Sequence, residues 1–347
     1  MASLFPRARS WSKLTVLVGC LLGALLSGLS GCTSSVDPNT SAAPDGKAAR
    51  QAVTLMLNWF PEAEHGGYYA ALTHGYYEEE GLDVTIQPGG PKAPVLQNVA
   101  DGIVTFGVDN ADKLVLARAQ QADIVALLAP IQTSPRCIMV RQDSPVKTFE
   151  DLARQPEWTL AMNTGQPFAL YLQKRLDLGN VQIVPYSGNV APFLLEDHYG
   201  QQAYTFSEPF IAEEKGVETR TLLVADIGFN PYTSLLIAGR KVLDEQPEIV
   251  AKMVRASRRG WQTYLDSPEE TNVTIHQENP EMGQSVLEFG VKALEPLCLP
   301  SSLPPEKLGQ MTEARWTELV SQMVEIGSIE PERVTAESCW TEKFLKP

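Results

Sequence analysis

The stretch from Leu55 to Val84, LMLNWFPEAEHGGYYAALTHGYYEEEGLDV, contains the pattern that decides the fold. A short apolar run ends in Asn-Trp-Phe-Pro, a His-Gly-Gly turn follows, and a tyrosine-rich helical segment leads into a second β-branched run. Strand, helix and strand in this order predict a parallel sheet covered by helices. In α/β proteins, the junction between a strand and the following helix is a usual place for ligand binding.

The same alternation of β-branched and helical runs continues from Ala52 in two successive sets. The first set ends near Pro135, and the second begins with the apolar run RCIMVRQ at Arg136 and ends near Gly228. A strand, a turn and a long amphipathic helix follow. We therefore predict two α/β lobes, with residues 52–135 as the first part of lobe 1, residues 136–228 as lobe 2, and residues 229–347 as the return to lobe 1 with C-terminal helices.

Residues 1–31 contain the basic, apolar and small-residue regions of a secretory signal peptide. Their apolar run of about a dozen residues is shorter than the roughly 20 that a membrane-spanning helix needs. The ending Leu29-Ser30-Gly31-Cys32 looks like a bacterial lipobox, in which Cys32 is lipidated; ordinary secretion with a free Cys32 is the alternative. Residues 32–51 are expected to form a flexible tether. We predict a lipid-anchored protein of the cell envelope, on the extracytoplasmic side of a bacterial membrane.

Charge and cysteine content exclude several classes of function. The chain carries a formal charge of −14, which becomes −17 without residues 1–31 because these contain three basic residues and no acids. This acidity argues against nucleic acid as a partner. Beyond Cys32, the cysteines are Cys137, Cys298 and Cys339, and their spacing shows no metal motif. Cys298 and Cys339 are candidates for a disulfide, whereas Cys137 is expected to be a buried thiol.

Two segments resemble a known family: LNWFPEAEHGGYYAALTHGYYEEEGLDVTI from Leu57 and TFGVDNADKLVLARAQQADIVALLAPIQTSP from Thr105. The chain resembles the solute-binding lipoproteins of ABC importers that include alkanesulfonate, taurine and nitrate receptors. Within this group it is most similar to the branch of hydroxymethylpyrimidine precursor synthases and of the receptor for N-formyl aminomethylpyrimidine, a thiamine salvage compound. The resemblance, over about residues 52–290, implies a two-lobed type 2 periplasmic-binding-protein fold with the ligand cleft between the lobes. It also implies a monomer that an inner-membrane ABC permease recognises.

The resemblance further implies which residues contact the ligand, at strand ends and helix starts. Trp59 would stack on a planar ring, and the amide of Asn58 would pair with ring nitrogens. The helix start after His65 would receive a polar group, while Asp109 and Glu208 would accept hydrogen bonds from an exocyclic amine. Core packing, helix capping and surface turns are the structural alternatives. The implied ligand-binding residues are Asn58, Trp59, His65, Tyr68, Asp109, Asn110, Asn163, Thr164, Gly165, Asn189, Glu208, Asn230 and Tyr232.

These residues favour a receptor for a small planar nitrogen heterocycle, first of all an aminopyrimidine precursor of thiamine. One alternative keeps the fold and changes the ligand to riboflavin or another flat heterocycle, or to an alkanesulfonate, taurine or nitrate. Stacking by Trp59 with Tyr68 or Tyr232 favours rings, whereas a sulfonate would need donors such as Arg136.

An enzyme that makes the pyrimidine from pyridoxal phosphate is the alternative of another class. In the synthases that the chain resembles, a lysine binds pyridoxal phosphate; the matching position here is Asp109, and the lysine is displaced to Lys113. Asn-Pro-Tyr-Thr-Ser also stands where those enzymes have a cysteine-rich run. The chain has no Walker loop, no Gly-x-Ser-x-Gly and no HExxH motif. We therefore predict a binding protein without cofactor or metal, and not an enzyme.

Overall fold

The computed structural model of the protein describes residues 50–345. The predicted signal peptide, Cys32 and most of the predicted tether lie outside these residues. The strands in the described range form two five-stranded sheets. They are β1 (Gln51–Met56), β2 (Leu82–Gln87), β3 (Phe106–Asp109), β4 (Ile124–Leu128), β5 (Arg136–Arg141), β6 (Trp158–Ala161), β7 (Val181–Val184), β8 (Tyr199–Tyr204), β9 (Thr219–Leu223) and β10 (Leu235–Gly239).

Helices connect these strands and cover the sheets. The α-helices are α1 (Gly66–Thr73), α2 (Tyr76–Glu79), α3 (Val95–Ala100), α4 (Ala111–Ala119), α5 (Phe149–Arg154), α6 (Pro167–Arg175), α7 (Ala191–Leu195), α8 (Glu208–Glu214), α9 (Arg240–Glu245), α10 (Pro247–Asp266), α11 (Glu269–Glu278), α12 (Gln284–Cys298), α13 (Glu313–Glu325) and α14 (Ala336–Cys339). Short 3₁₀ helices span Ala63–His65, Val224–Ile227 and Pro305–Lys307. Between residues 50 and 345, no helix has the length and apolar character needed to cross a membrane.

Each sheet combines parallel strands with one antiparallel strand that arrives from elsewhere in the chain. The first has the order β2-β1-β3-β10-β4; β1 is parallel to β2 and β3, and β10 is antiparallel to β3 and β4. The second has the order β7-β6-β8-β5-β9; β6 is parallel to β7 and β8, and β5 is antiparallel to β8 and β9. We call the first sheet and its helices lobe 1, and the second lobe 2. This architecture confirms the predicted two-lobed α/β fold.

The glycines of the opening stretch allow α1 to pack closely against α10. A methyl group on Gly66 would lie 1.9 Å from the ring of Tyr264, and one on Gly67 would lie 2.1 Å from the ring of Trp261. Both distances are far below van der Waals contact, so only glycine fits at these two positions. On the facing helix, Gly260 meets the same constraint against the carbonyl of Gly67, at 2.1 Å. The Gly-Gly pair therefore serves helix packing in lobe 1.

Helix α13 braces the segment that leads from lobe 2 back into β10. The guanidinium of Arg315 donates to the carbonyl of Asn230 at 2.8 Å, and Gln322 donates to the carbonyl of Gly228 at 2.9 Å. The hydroxyl of Tyr232 accepts the backbone N–H of Thr312 at 3.0 Å. These bonds fix the return crossing to the C-terminal part of the chain.

The predicted disulfide between Cys298 and Cys339 is wrong, because both thiols are free and buried. Cys298 ends α12 and belongs to the apolar core that contains α1 and α10. Cys339 ends α14 and belongs to a second core, next to α13. The two thiols thus lie in different cores, which the spacing of cysteines along the sequence does not reveal. Cys137 is a buried thiol, as predicted.

Candidate functional site

One hydrogen bond joins the lobes at the ends of two strands. The side-chain amide of Asn110, just after β3 in lobe 1, donates to the hydroxyl of Tyr204, the last residue of β8 in lobe 2, at 2.9 Å. Asn110 stands at the N-cap of α4, yet its side chain does not cap that helix. The carbonyl ends of β3 and β8 therefore face each other, and the residues around this bond line the candidate cleft.

Ser234 fixes the lobe 1 side of this cleft. Its φ of +56° is unusual for a residue other than glycine, and all three of its polar groups are hydrogen-bonded. Its N–H donates to Asn110 Oδ1 at 3.3 Å, its hydroxyl donates to the carbonyl of Glu64 at 2.7 Å, and its carbonyl accepts the hydroxyl of Tyr68 at 2.7 Å. Ser234 thus ties the start of α4 to the Ala63–His65 turn, and the surrounding bonds hold its strained backbone.

Two buried carboxyl groups lie at this turn, Glu62 directly before it and Glu64 within it. Their relative exposures are 6% and 1%. Neither oxygen of Glu64 makes a hydrogen bond within the described residues. The Nε2 of His65 lies 3.3 Å from Glu64 Oε1 but donates to Asn58 Oδ1 at 2.9 Å, since an amide oxygen only accepts. The turn therefore presents acceptor atoms that the protein itself does not satisfy.

The two carboxyl groups differ in charge state. Burial raises the pKa of Glu62 well above its ordinary value, and the negative charges of Glu64 and Glu208 add to this, against the opposing effect of Arg136. Burial also acts on Glu64, but His65, Asn58 and Lys113 outweigh it and hold the pKa of Glu64 below its ordinary value. When two buried carboxyl groups are close together, the negative charge of one raises the pKa of the other, so that only one of them ionises easily. Glu64 is therefore the anion of the pair.

The end of β3 and the start of α4 add two further acids and one cation to the lobe 1 side. Lys113 Nζ forms an ion pair with Asp109 Oδ1 at 3.2 Å, and this charge raises the pKa of the lysine above its ordinary value. Asp109 also accepts the N–H of Asn110 at 2.9 Å. Burial raises the pKa of Asp112. Lys113 is thus already paired with Asp109, and no ion pair joins Asp112 to a cation among the described residues.

Lobe 2 contributes aromatic rings, one cation and one carboxylate. The guanidinium of Arg136 lies 4.0 Å from the ring centre of Tyr204 and 4.9 Å from that of Phe168. Glu208 Oε1 accepts the hydroxyl of Tyr186 at 2.9 Å, and its Oε2 accepts the N–H of Tyr204 at 2.8 Å. The lobe 2 groups therefore hold one another in place.

A cavity of about 510 Å³ opens at the same edge of the lobe 2 sheet. It lies beyond the carboxyl ends of β6 and β7, which are parallel to each other, and β6 is parallel to β8 as well. The half-buried Asn163 donates its N–H to Gln202 at 2.7 Å, and Thr164 and Gly165 are exposed in the loop before α6. The cavity is lined by Met162, Asn163, Thr164, Gly165, Gln166, Ile183, Val184 and Pro185.

Trp59 lies in the loop after β1, where its carbonyl accepts the N–H of Gly89 at 2.9 Å. Its ring is half-buried and meets the ring of Phe60 edge-on at 5.5 Å between centres. Phe60 is 48% exposed. The two rings offer an aromatic surface beside the Ala63–His65 turn.

Four of the predicted ligand-binding residues have structural partners instead. Tyr68 is fully buried under Ser234, and Tyr232 packs against α13 with Arg315 3.7 Å from its ring centre. Asn230 accepts the N–H of Ser134, which links the two crossings between the lobes. Asn189 caps the turn before α7 and is exposed. Asn230 also lines a separate cavity of about 290 Å³ beside α13, away from the strand ends.

Glu62, Glu64, Asp112 and Tyr204 were not among the residues predicted from the sequence. The signal that could have revealed the acids is their placement in PEAEH, directly after an apolar strand and before a helix. A short polar helix start is more often a solvated face, and this one is covered by α1 and by α12, which lies more than two hundred positions further along the chain. Only the folded arrangement brings these four residues together with Asn110, Arg136 and Glu208.

Comparisons with known proteins give three relatives of similar length. The riboflavin-binding protein RibY of Chloroflexus aurantiacus is 28% identical and covers 84% of this chain and 84% of that protein. The formylaminopyrimidine-binding protein of Halalkalibacterium halodurans is 22% identical, over 81% of this chain and 87% of that protein. The 4-amino-5-hydroxymethyl-2-methylpyrimidine phosphate synthase of Legionella pneumophila is 23% identical, over 66% and 74%. Binding proteins and an enzyme thus occur among the relatives.

The fold and the family agree with the predicted resemblance. The periplasmic aliphatic sulphonate binding protein SsuA from Escherichia coli has the same fold, with a TM-score of 0.64 at 15% identity over 84% of this chain and 92% of that one. A family model described as NMT1/THI5 like matches residues 62–271, more than half of the chain. The protein therefore belongs to the NMT1/THI5-like family.

Proposed function

We propose that this protein is the extracytoplasmic solute-binding protein of an ABC importer and that it captures a small planar nitrogen heterocycle of the aminopyrimidine type. The observation that carries this proposal is the polar junction between the lobes. Carboxylates and amides from two strand ends converge there around the Asn110–Tyr204 bond, and the rings of Trp59 and Phe60 lie in the loop that leads from β1 to the Ala63–His65 turn. Such a mixture of aromatic surface and a few oriented polar groups is typical of small-molecule sites.

The charges at the junction favour a ligand that donates hydrogen bonds. Carboxylates accept but cannot donate once ionised, and the amino groups and N–H edges of an aminopyrimidine are donors. Of the two cations, Lys113 is paired with Asp109, and Arg136 lies against two aromatic rings. An anion such as nitrate or a sulfonate would meet the ionised Glu64 in a buried place, which electrostatics disfavours. We therefore rank these anions as less favoured ligands than the heterocycles.

The same geometry argues for binding without covalent chemistry. A lysine forms a Schiff base through its neutral amine, and the ion pair with Asp109 keeps Lys113 protonated. Burial raises the pKa of all three described thiols, Cys137, Cys298 and Cys339, which disfavours the thiolate that nucleophilic catalysis needs. Hinge closure on the ligand, which shifts the population toward a form that the permease recognises, requires only contacts from both lobes.

Riboflavin is the second candidate ligand. A relative that is 28% identical is named as a riboflavin-binding protein. The cavity of about 510 Å³ next to Asn163 is within the range of pockets that hold molecules larger than a single pyrimidine. An isoalloxazine ring would use the same aromatic surface, and its sugar-like hydroxyls would donate to the carboxylates.

The proposal includes a membrane anchor for the receptor. A lipid on Cys32 would hold a monomeric receptor at the extracytoplasmic membrane surface and raise its effective concentration at the permease. Mass spectrometry of the chain expressed in bacteria tests this part. A lipid-modified N-terminal Cys32 supports the anchor, and an N-terminus elsewhere contradicts it.

Calorimetric titration of the full chain in detergent tests the ligand class. We expect binding of formyl aminopyrimidine or hydroxymethylpyrimidine, and an affinity about 5- to 150-fold lower in Trp59→Ala, because a stacked ring contributes about 1–3 kcal/mol. Trp340→Ala is the matched control, since Trp340 is also half-buried but lies beside β4. Binding of riboflavin alone would select the second candidate, and binding of taurine or nitrate alone would overturn the proposal.

A further inference from the structure

Glu62 and Glu64 form a pair of buried carboxyl groups that lack hydrogen-bond donors among the described residues. Both side chains are more than nine-tenths buried, and both oxygens of Glu64 lack a hydrogen bond among residues 50–345. Glu62 has no ion pair and no side-chain hydrogen bond to any described residue. A buried acceptor without a partner is costly, and native proteins keep such a group when something else completes it.

The groups around the pair do not neutralise it. From its own turn, His65 faces Glu64, and from α4, Asp112 adds a negative charge and Lys113 a positive one that Asp109 already pairs. The phenols of Tyr68 on α1 and Tyr264 on α10 stay neutral because burial raises their pKa. From lobe 2, the facing groups are Arg136, Glu208, Tyr186 and Tyr204.

A proton on Glu62 balances the pair in the absence of other cations. The raised pKa of Glu62 and the lowered pKa of Glu64 indicate one proton and one negative charge on the two groups. A metal ion is a poor substitute, because no group of three or more possible metal-ligating side chains occurs among the described residues. A nitrogen cation needs only hydrogen-bond acceptors, which the pair provides.

We infer that the Glu62–Glu64 pair selects a positively charged ligand and exchanges the proton on Glu62 for it. The ammonium or protonated ring of the ligand donates to Glu64, the new positive charge allows Glu62 to ionise, and its proton leaves to solvent. No bond other than the O–H bond of Glu62 is broken. A ligand with one positive charge replaces one proton, so the net charge of the site is the same before and after binding. The inference rests on the proposed function, because it names the charge of that ligand.

Two pyrimidines that differ in one group test the inference. The 5-aminomethyl compound is an ammonium at neutral pH, and the 5-hydroxymethyl compound is neutral there. We expect the full chain to bind the aminomethyl compound at least tenfold more tightly at pH 7. Titrations in phosphate and in Tris, which differ in ionisation enthalpy, should show release of about one proton, and affinity should rise as pH rises from 6 to 7.5.

Variants assign the effect to the pair. Glu62→Gln should abolish proton release, and Glu64→Gln should remove most of the preference for the aminomethyl compound. Glu245→Gln is the matched control, because Glu245 is exposed on α9, which follows the far end of β10. It should keep both the preference and the proton release. Thermal unfolding of each variant verifies that it is folded.

The outcomes separate this inference from the function on which it rests. Equal affinity for the two pyrimidines without proton release would overturn the inference and leave a pyrimidine receptor in place. A preference that persists in both glutamate variants would also overturn it, because other groups would then read the charge. If neither pyrimidine nor any other heterocycle binds, the proposed function fails, and the inference fails with it.

Discussion

The two lobes bring carboxylates to the same junction but treat them differently. In lobe 2, both oxygens of Glu208 accept hydrogen bonds, from Tyr186 and from the backbone of Tyr204. In lobe 1, neither oxygen of Glu64 makes a hydrogen bond among the described residues, although the side chain is almost fully buried and His65 Nε2 lies 3.3 Å from Oε1. Lobe 2 is therefore complete without ligand, while lobe 1 keeps acceptors for something that arrives.

This difference has a local cause. Glu208 opens α8 and folds back on the end of β8, so the strand that precedes it supplies a donor four residues away. Glu64 lies in a single 3₁₀ turn, whose nearest side-chain donor, His65, is directed at Asn58. The same motif, a helix start after a strand, thus gives a fully hydrogen-bonded carboxylate in lobe 2 and a carboxylate with free acceptor atoms in lobe 1.

The sharpest test of the comparison is the removal of each carboxylate from the ligand-free protein. Glu208→Ala leaves a backbone N–H and a tyrosine hydroxyl without an acceptor, so we expect the free energy of unfolding to fall by about 2–3 kcal/mol. Urea denaturation measures this change. Glu218→Ala, an exposed glutamate of the same lobe, is the control and should change stability by less than about 0.5 kcal/mol. A loss below about 1 kcal/mol would show that lobe 2 is not the preorganised side.

On the lobe 1 side, Glu62→Gln should have an effect of opposite sign that depends on pH. The pKa of Glu62 is raised in the folded protein above the roughly 4.3 of an unfolded chain. The folded state therefore binds the proton more tightly, and the wild type loses stability as pH rises from that value through the raised pKa. Glutamine has no such loss. We expect the variant to equal the wild type near pH 4 and then to gain on it by about 1.4 kcal/mol for each pH unit until the raised pKa is reached.

Urea denaturation at pH 4, 6 and 8 measures this dependence, with Glu245→Gln as the control for a change of surface charge. Parallel curves for wild type and Glu62→Gln would mean that Glu62 titrates in the folded protein as it does in water. Lobe 1 would then hold no stored proton, and the contrast between the lobes would reduce to hydrogen bonding alone.

Much of the fold follows from local patterns in the sequence. The strand–helix alternation from Ala52 predicts both sheets, and the amphipathic run after Pro247 becomes the long helix α10. The sequence could not show that β10 would insert between β3 and β4, because this pairing joins residues more than a hundred positions apart. The same limit accounts for the wrong disulfide, since Cys298 and Cys339 belong to different cores.

The candidate site was less accessible to prediction than the fold. Asn110 and Glu208 could be predicted because each is a polar residue next to the end of an apolar strand, where this class of fold binds its ligands. Tyr68 and Tyr232 were expected to face the ligand, but the rings of α10 and the contacts of α13 place them in the interior. Glu62 and Glu64 escaped notice because the turn that carries them packs against the distant helix α12, which no local pattern encodes.

The smallest expected effect concerns the hydrogen bond between Asn110 and Tyr204, which joins the two lobes. Tyr204→Phe removes the hydroxyl that accepts from Asn110, and a neutral hydrogen bond contributes about 0.5–1.5 kcal/mol, or about 2- to 12-fold in affinity. If the bond only holds the lobes together, affinities for the aminomethyl and the hydroxymethyl pyrimidine should fall by the same factor in calorimetric titrations.

Tyr199→Phe at the start of the same strand is the matched control, because the hydroxyl of Tyr199 makes no hydrogen bond to another described residue. It should leave both affinities unchanged. A selective loss for the charged pyrimidine in Tyr204→Phe would mean that this hydroxyl takes part in charge recognition. Lobe 2 would then share the role assigned to Glu62 and Glu64. The contrast between the fully hydrogen-bonded Glu208 of lobe 2 and the free acceptors of lobe 1 would not hold, since the backbone of Tyr204 also donates to Glu208.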